Sequence, residues 1–298
     1  MERKHNVWGR VGHFLRRENM KALMRSAGIF AALFVLAPPA HAQSAETLGL
    51  AERLFERSGL ALQLQSFPAQ FEQGLSQNRG KVPDEVLAAA AEAGRKAFAP
   101  DALREEIVRT LAGKLPAADM RQVLAWLDGQ VGRRITLAEE SAAGNMTPES
   151  MLAYFESEKQ KPPGPKRAAL VADLIAATKA VESGASAIEA MSLGIAVGMD
   201  AAQPVEKRIG FSNLRKRLRA AMPPDKLRAN MGAALPGMNR FIYRGISDDD
   251  LAAYVEFNSS PLGQRYNHAV TDALAEALTR ASVRIGELMQ AAPEKKRI

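Results

Sequence analysis

The side chains able to do chemistry in this chain are few and poorly placed for it. Downstream of residue 42 there is one histidine, His268, and no cysteine anywhere. One histidine cannot build a His₃ or Cys/His metal site, nor a Cys/His nucleophile pair. His268 can serve as a lone acid/base, but its surroundings read as an exposed helix face. Ser259 and Ser260 lack a G-x-S-x-G elbow and an S-x-x-K motif, so they read as helix caps. Asp248-Asp249-Asp250 lacks the glycine and closing glutamate of a calcium loop and reads as charge at a helix N-terminus. Glu105-Glu106 and Glu139-Glu140 invite a carboxylate-pair hydrolase. Neighbours on a helix diverge by about 100°, so both pairs are expected on solvated faces. No phosphate-binding or dinucleotide-binding glycine motif occurs. These residues imply no metal, no cofactor and no catalytic set.

A different signal lies between Glu206 and Arg228. Lys207, Arg208, Arg215, Lys216, Arg217 and Arg219 face one way, and Phe211, Leu214, Leu218 and Met222 face the other. A basic amphipathic helix of this kind suits an anionic membrane, an anionic envelope polymer or an acidic partner protein. A second apolar run, Ile188–Met199, spaces Gly194 and Gly198 four apart. It predicts close helix packing, with a lining for a small apolar ligand as the alternative.

The elements that must carry these residues are helical. Ala, Leu, Glu and Arg dominate, and no period-2 run of β-branched residues occurs, so the expected fold class is all-α. Residues 1–42 read as a secretory leader: Lys21 and Arg25, then the apolar Ile29–Leu36, then Ala40-His41-Ala42. Residues 1–19 precede Met20, which begins a leader of ordinary length. The expected address is therefore exported and periplasmic, with no transmembrane span after cleavage and an oligomeric state left open. The whole chain holds 40 basic and 33 acidic residues; setting aside residues 1–42 leaves 33 against 31. A basic-protein argument for nucleic acid therefore fails.

Lys159–Lys166 (KQKPPGPK) cannot continue a helix and predicts a linker between a first unit, 43–158, and a second, 167–290, with a tail at 291–298. The two units share a pattern. Leu50, Leu54 and Phe71 match Leu170, Leu174 and Met191 at an offset of 120. At an offset of 131, Asp119, Trp126, Gly132 and Arg134 match Asp250, Phe257, Gly263 and Arg265. The difference predicts an insertion within residues 203–236. A tandem pair of antiparallel helical units is expected, each turning a glycine-containing corner: Trp126 and Gly132 in one, Phe257, Ser260, Pro261 and Gly263 in the other.

The second corner carries a resemblance. VEFNSSPLGQRY (255–266) resembles the ending of a family of bacterial exported, all-helical proteins catalogued as a domain of unknown function. Its members carry a helix ending in Phe-Tyr-x-Ser-Pro-x-Gly. Phe257, Ser260, Pro261 and Gly263 match, whereas Asn258 stands where the family has an aromatic residue. Arg167–Thr178 resembles the family's first helix, and the similarity spans roughly residues 162–289, more weakly 44–140. The resemblance implies an α-helical envelope protein and brings no catalytic residues. The expected function is a non-enzymatic exported protein that binds an envelope partner or anionic surface.

Overall fold

Helix starts are well marked in this sequence, and the computed structural model, which describes residues 44–80 and 82–291, follows them. Ser44 caps α1 (Ala45–Arg57), its hydroxyl accepting from the Thr47 amide. Proline opens α5 (Pro100–Lys114), α8 (Pro148–Gln160), α9 (Pro165–Ala177), α12 (Pro224–Ile242) and α14 (Pro261–Ala291), where its missing N–H costs nothing. The others are α2 (Leu60–Gln65), α3 (Phe67–Ser76), α4 (Asp84–Ala97), α6 (Ala117–Leu127), α7 (Gln130–Asn145), α10 (Ala180–Ala201), α11 (Phe211–Ala221) and α13 (Asp248–Ser259). No strand occurs among the described residues, so the all-α expectation holds. The expected leader and the tail beyond 291 lie outside the described residues.

The described residues cluster as one compact unit. The Pro-rich stretch does break the chain between α8 and α9, but the helices on either side share a core. α14 packs on α4, α5 and α6 from before the linker as well as on α10 and α13 from after it. Phe71 and Phe98, both fully buried, pack at 5.2 Å between centroids in the same cluster as Ile285 and Leu278.

The centre of the fold is the parallel pair α10 and α14: Ser183 meets Thr271 towards the start of both helices, and Gly198 meets Ile285 towards their ends. The buried positions of α14 include Ala269, Ala273, Ala277, Leu278, Ala281, Ser282, Ile285 and Met289, with Val270 and Leu274 partly buried at the flanks. Gly194, Gly198 and Gly286 lie where α10 and α14 meet: a Cβ on Gly194 would sit 3.0 Å from Ile285, and one on Gly286 would sit 2.8 Å from Val197. Ser282 donates across the seam to the Ala190 carbonyl at 2.7 Å. α10 is 22 residues long, longer than its apolar run suggested, and its length and mean hydropathy of 1.2 suffice to cross a membrane. α14, α12, α11 and α4 pack against it, and 22% of its most apolar stretch is buried.

Two stretches of chain follow the same path. α1 and α9 are each 13 residues, and each ends at a residue with positive φ: Gly59 (73°) and Lys179 (53°), 120 positions apart. The α6–α7 and α13–α14 corners also coincide. Gly129 (φ −69°, ψ 167°) and Ser260 (φ −65°, ψ 157°) turn the chain alike, 131 positions apart. Three residues later, each corner closes on a glycine. A Cβ on Gly132 would lie 2.4 Å from the Trp126 carbonyl oxygen, and one on Gly263 would lie 2.0 Å from that of Phe257. Only glycine lets the second helix pass so near the end of the first.

Candidate functional site

The six basic residues singled out above fall on two neighbouring pieces of chain. Asp200, buried at the end of α10, accepts from the backbone amides of Ile209 (2.7 Å) and Gly210 (3.0 Å). That contact fixes the loop between α10 and α11, with Gly210 at φ 80°. Lys207 and Arg208 ride on this loop; the Arg208 Nε donates to the Gln203 carbonyl. α11 then presents Arg215, Lys216, Arg217 and Arg219.

The structure divides these cations by role. Arg215 and Arg219 turn inward onto Glu189 of α10, at 3.2 and 2.8 Å. Burial works to raise the Glu189 carboxyl, but hydrogen bonds from Arg219 and Arg215 outweigh it and hold the group below the usual carboxylate range. Lys207, Lys216 and Arg217 are exposed and have no acidic partner among the described residues. The apolar side of α11 is also spoken for. Leu214, Leu218 and Phe211 pack on Leu193 and Val197 of α10. The amphipathic pattern suggested a helix that could lay its apolar face in lipid; that face is used inside the protein, so the ridge can offer charge only.

The alternative ligand site fares differently. The space beside Gly194 and Gly198 is filled by Ile285. The nearest open volume is a cleft of about 210 Å³ between α10, α11 and α14, bordered by Val197, Phe211 and Val283.

The remaining candidates sort themselves by contact. His268 is exposed, 3.9 Å from Asp272. The Ser260 hydroxyl donates to the Phe257 carbonyl and accepts from the Gly263 amide, which makes it a cap, while Ser259 is exposed. The three aspartates at 248–250 do more than face a helix dipole: Asp248 pairs with Arg167, Asp249 with Lys166 and Asp250 with Arg134. Glu106 pairs with Arg280 and Arg109, and the exposed Glu105 also pairs with Arg109. Trp126 of the first corner is partly buried and stacks on Phe257 of the second at 4.2 Å and 13°. Beside that stack the ion pairs cross between the corners: Arg265 bonds Asp119 through two nitrogens (2.7 and 3.1 Å), and Arg134 bonds Asp250 likewise (2.8 and 2.6 Å). Asn258, where the resembling family has an aromatic residue, is buried and accepts from Asn267 at 3.0 Å.

One correction concerns Glu139, expected on a solvated face. Its Oε1 accepts from the phenols of Tyr243 (2.6 Å) and Tyr254 (3.2 Å). Burial pushes the carboxyl up to about 7, against those two hydrogen bonds, and the adjacent Glu140 charge adds to the rise. Burial beside this carboxylate also pushes both phenols well up. Sequence reasoning passed over Glu139 because its partners come from residues over 100 positions away; the phenols at 243 and 254 were its only signal. Among the described residues no cluster of His, Asp or Glu is arranged to hold a metal ion. Comparison with protein-family models, with curated proteins and with solved structures returns no match to this chain.

Proposed function

We propose that this chain is an exported, non-enzymatic helical protein that holds a basic ridge against an anionic envelope surface. One observation carries the reading: Lys207, Lys216 and Arg217 stand exposed and unpaired on a helix whose other cations and apolar face anchor it to α10. A rigidly mounted cluster of like charges is costly unless a counter-charge uses it, and each basic group near an anionic surface contributes about 1 kcal/mol. The leader pattern at residues 1–42 supplies the periplasmic address, and an acidic envelope protein is the other partner that fits the same charge.

The architecture proposed with it is a tandem repeat. Residues 43–158 and 167–290 are two copies of one helical unit, and α11 with its flanking loops is the insertion in the second. The equivalent left-handed residues Gly59 and Lys179, the equivalent corner glycines and the crossed Asp–Arg pairs support this. Two copies related by a two-fold axis pair in that crossed manner. The resemblance of residues 255–266 to a helical envelope family agrees with the same reading.

The test is co-sedimentation of the leaderless chain with vesicles of phosphatidylcholine alone or with one third phosphatidylglycerol, and with an acidic polymer. The comparison variant carries Lys207→Glu, Lys216→Glu and Arg217→Glu. Arg215 and Arg219 are left intact because their loss would strand Glu189. Binding is expected only to the anionic targets, to weaken with salt, and to fall at least tenfold in the variant. Equal binding by the variant, or none by the wild type, overturns the surface reading.

A further inference from the structure

We propose that the α10–α11 loop inserts its tip, Pro204-Val205, into an anionic lipid bilayer while the neighbouring basic residues sit on the headgroups, which rests on the basic-ridge reading above and names the surface that the ridge meets.

Charge alone does not choose among anionic surfaces. A polymer, an acidic protein and a lipid headgroup all attract Lys207, Lys216 and Arg217, and the apolar face of α11 is occupied by Leu193 and Val197. A bilayer differs from the others in offering hydrocarbon just beneath its charge. A contact that suits it needs an exposed apolar group among the cations. Val205 supplies one. It is 71% exposed, the most exposed large apolar side chain among the described residues, and the exposed Pro204 precedes it. Lys207 and Arg208 follow within three residues, and Glu206 is the one acid of the loop 203–210.

The loop holds that tip outward. Val205–Lys207 form a single 3₁₀ turn. The Lys207 amide donates to the Pro204 carbonyl at 2.9 Å, and the Arg208 amide donates to that of Val205 at 3.3 Å. Pro204 brings no N–H. Both tip carbonyls are therefore bonded within the turn and one donor is absent, which lowers the cost of taking this backbone out of water. Below the turn, the Arg208 Nε donates to the Gln203 carbonyl at 3.0 Å, and Asp200 accepts from the amides of Ile209 and Gly210. A loop already fixed in this way loses little conformational entropy on insertion.

The exposed leucines elsewhere show the contrast. Leu152 of α8 is 62% exposed, but Glu149 and Glu156 stand one helical turn away on either side, and an anionic bilayer repels that face. Leu137 of α7 has Arg133 and Glu140 one turn away, and their charges offset each other. At the α10–α11 loop, apolar exposure and positive charge coincide.

The chain has no cysteine, so Val205→Cys takes a single environment-sensitive NBD label on the leaderless chain, and Leu152→Cys takes the comparison label. Both positions are exposed, so neither change touches the core. Vesicles of phosphatidylcholine with one third phosphatidylglycerol should brighten the Val205 label and shift its emission to the blue. Vesicles of phosphatidylcholine alone and an acidic polymer should not, and the Leu152 label should respond to none of them. Unlabelled Val205→Asn should sediment with the anionic vesicles about threefold more weakly, or less still, with binding to the polymer unaltered. A Val205 label that stays in water on vesicles the protein binds overturns the insertion and leaves the basic ridge standing. So does a Val205→Asn variant that binds them as the wild type does. A label that responds equally to the polymer, or wild-type binding to the polymer alone, makes the polymer the occupant and overturns the insertion too. A wild type that binds none of these targets overturns both readings.

Discussion

The corner at 115–135 and the corner at 246–266 share a backbone path while differing in the residues that turn it. The later one uses Ser260 as cap and Pro261 as first helical residue; the earlier one has Gly129 and Gln130 at those places. Both keep a glycine three residues on, and both press it against a carbonyl in the last turn of the preceding helix. The difference separates what the bend requires from what trims it. Close passage of two backbones requires glycine; capping adds stability to a turn that forms without it. It also removes the last reason to read Ser260 as a nucleophile, since its hydroxyl is spent on the Phe257 carbonyl and the Gly263 amide.

Substitutions at the closing glycines should have the largest effect. A Cβ on Gly263 or Gly132 would overlap backbone rather than a yielding side chain. Gly263→Val and Gly132→Val should each cost about 3 kcal/mol or more in denaturant unfolding. A tolerant Gly132 beside an intolerant Gly263 would break the equivalence of the corners. Next come the stacked rings that face each other between the corners. Trp126→Ala and Phe257→Ala should each cost about 2–3 kcal/mol, less than a wholly buried ring because Trp126 keeps some solvent contact. The double variant should lose less than the two single losses combined, because the second change removes a ring whose partner has gone.

The acid-linked contact lies in the same range. Wild-type stability should fall by about 2 kcal/mol from pH 5 to pH 8 relative to Glu139→Gln, read from urea midpoints. Smallest is the cap: Ser260→Ala should cost about 1 kcal/mol, with nothing comparable available at Gly129.

Much of this fold was legible locally. Ser44, Thr147, Ser247 and the helix-opening prolines act on residues within one turn, so their signals need no tertiary context. The insertion expected within 203–236 came from two offsets alone and belongs to the proposed repeat; α11 falls within those positions. What escaped reading was set by distant partners. Glu139 looks like any solvated helix glutamate until Tyr243 and Tyr254 close on it from α12 and α13. Likewise α11 has the pattern of a membrane-surface helix, and only the proximity of Leu193 and Val197 shows its apolar face occupied.

The proposed repeat sets two copies of one unit facing each other across a two-fold axis. Double-mutant cycles at both crossed pairs test it most directly: Asp119→Ala with Arg265→Ala, and Asp250→Ala with Arg134→Ala. Each pair is bidentate, with a carboxylate more buried than its arginine. Coupling energies of about 1 kcal/mol, equal between the two pairs within about 0.3 kcal/mol, are expected. Coupling in one pair and none in the other would contradict it.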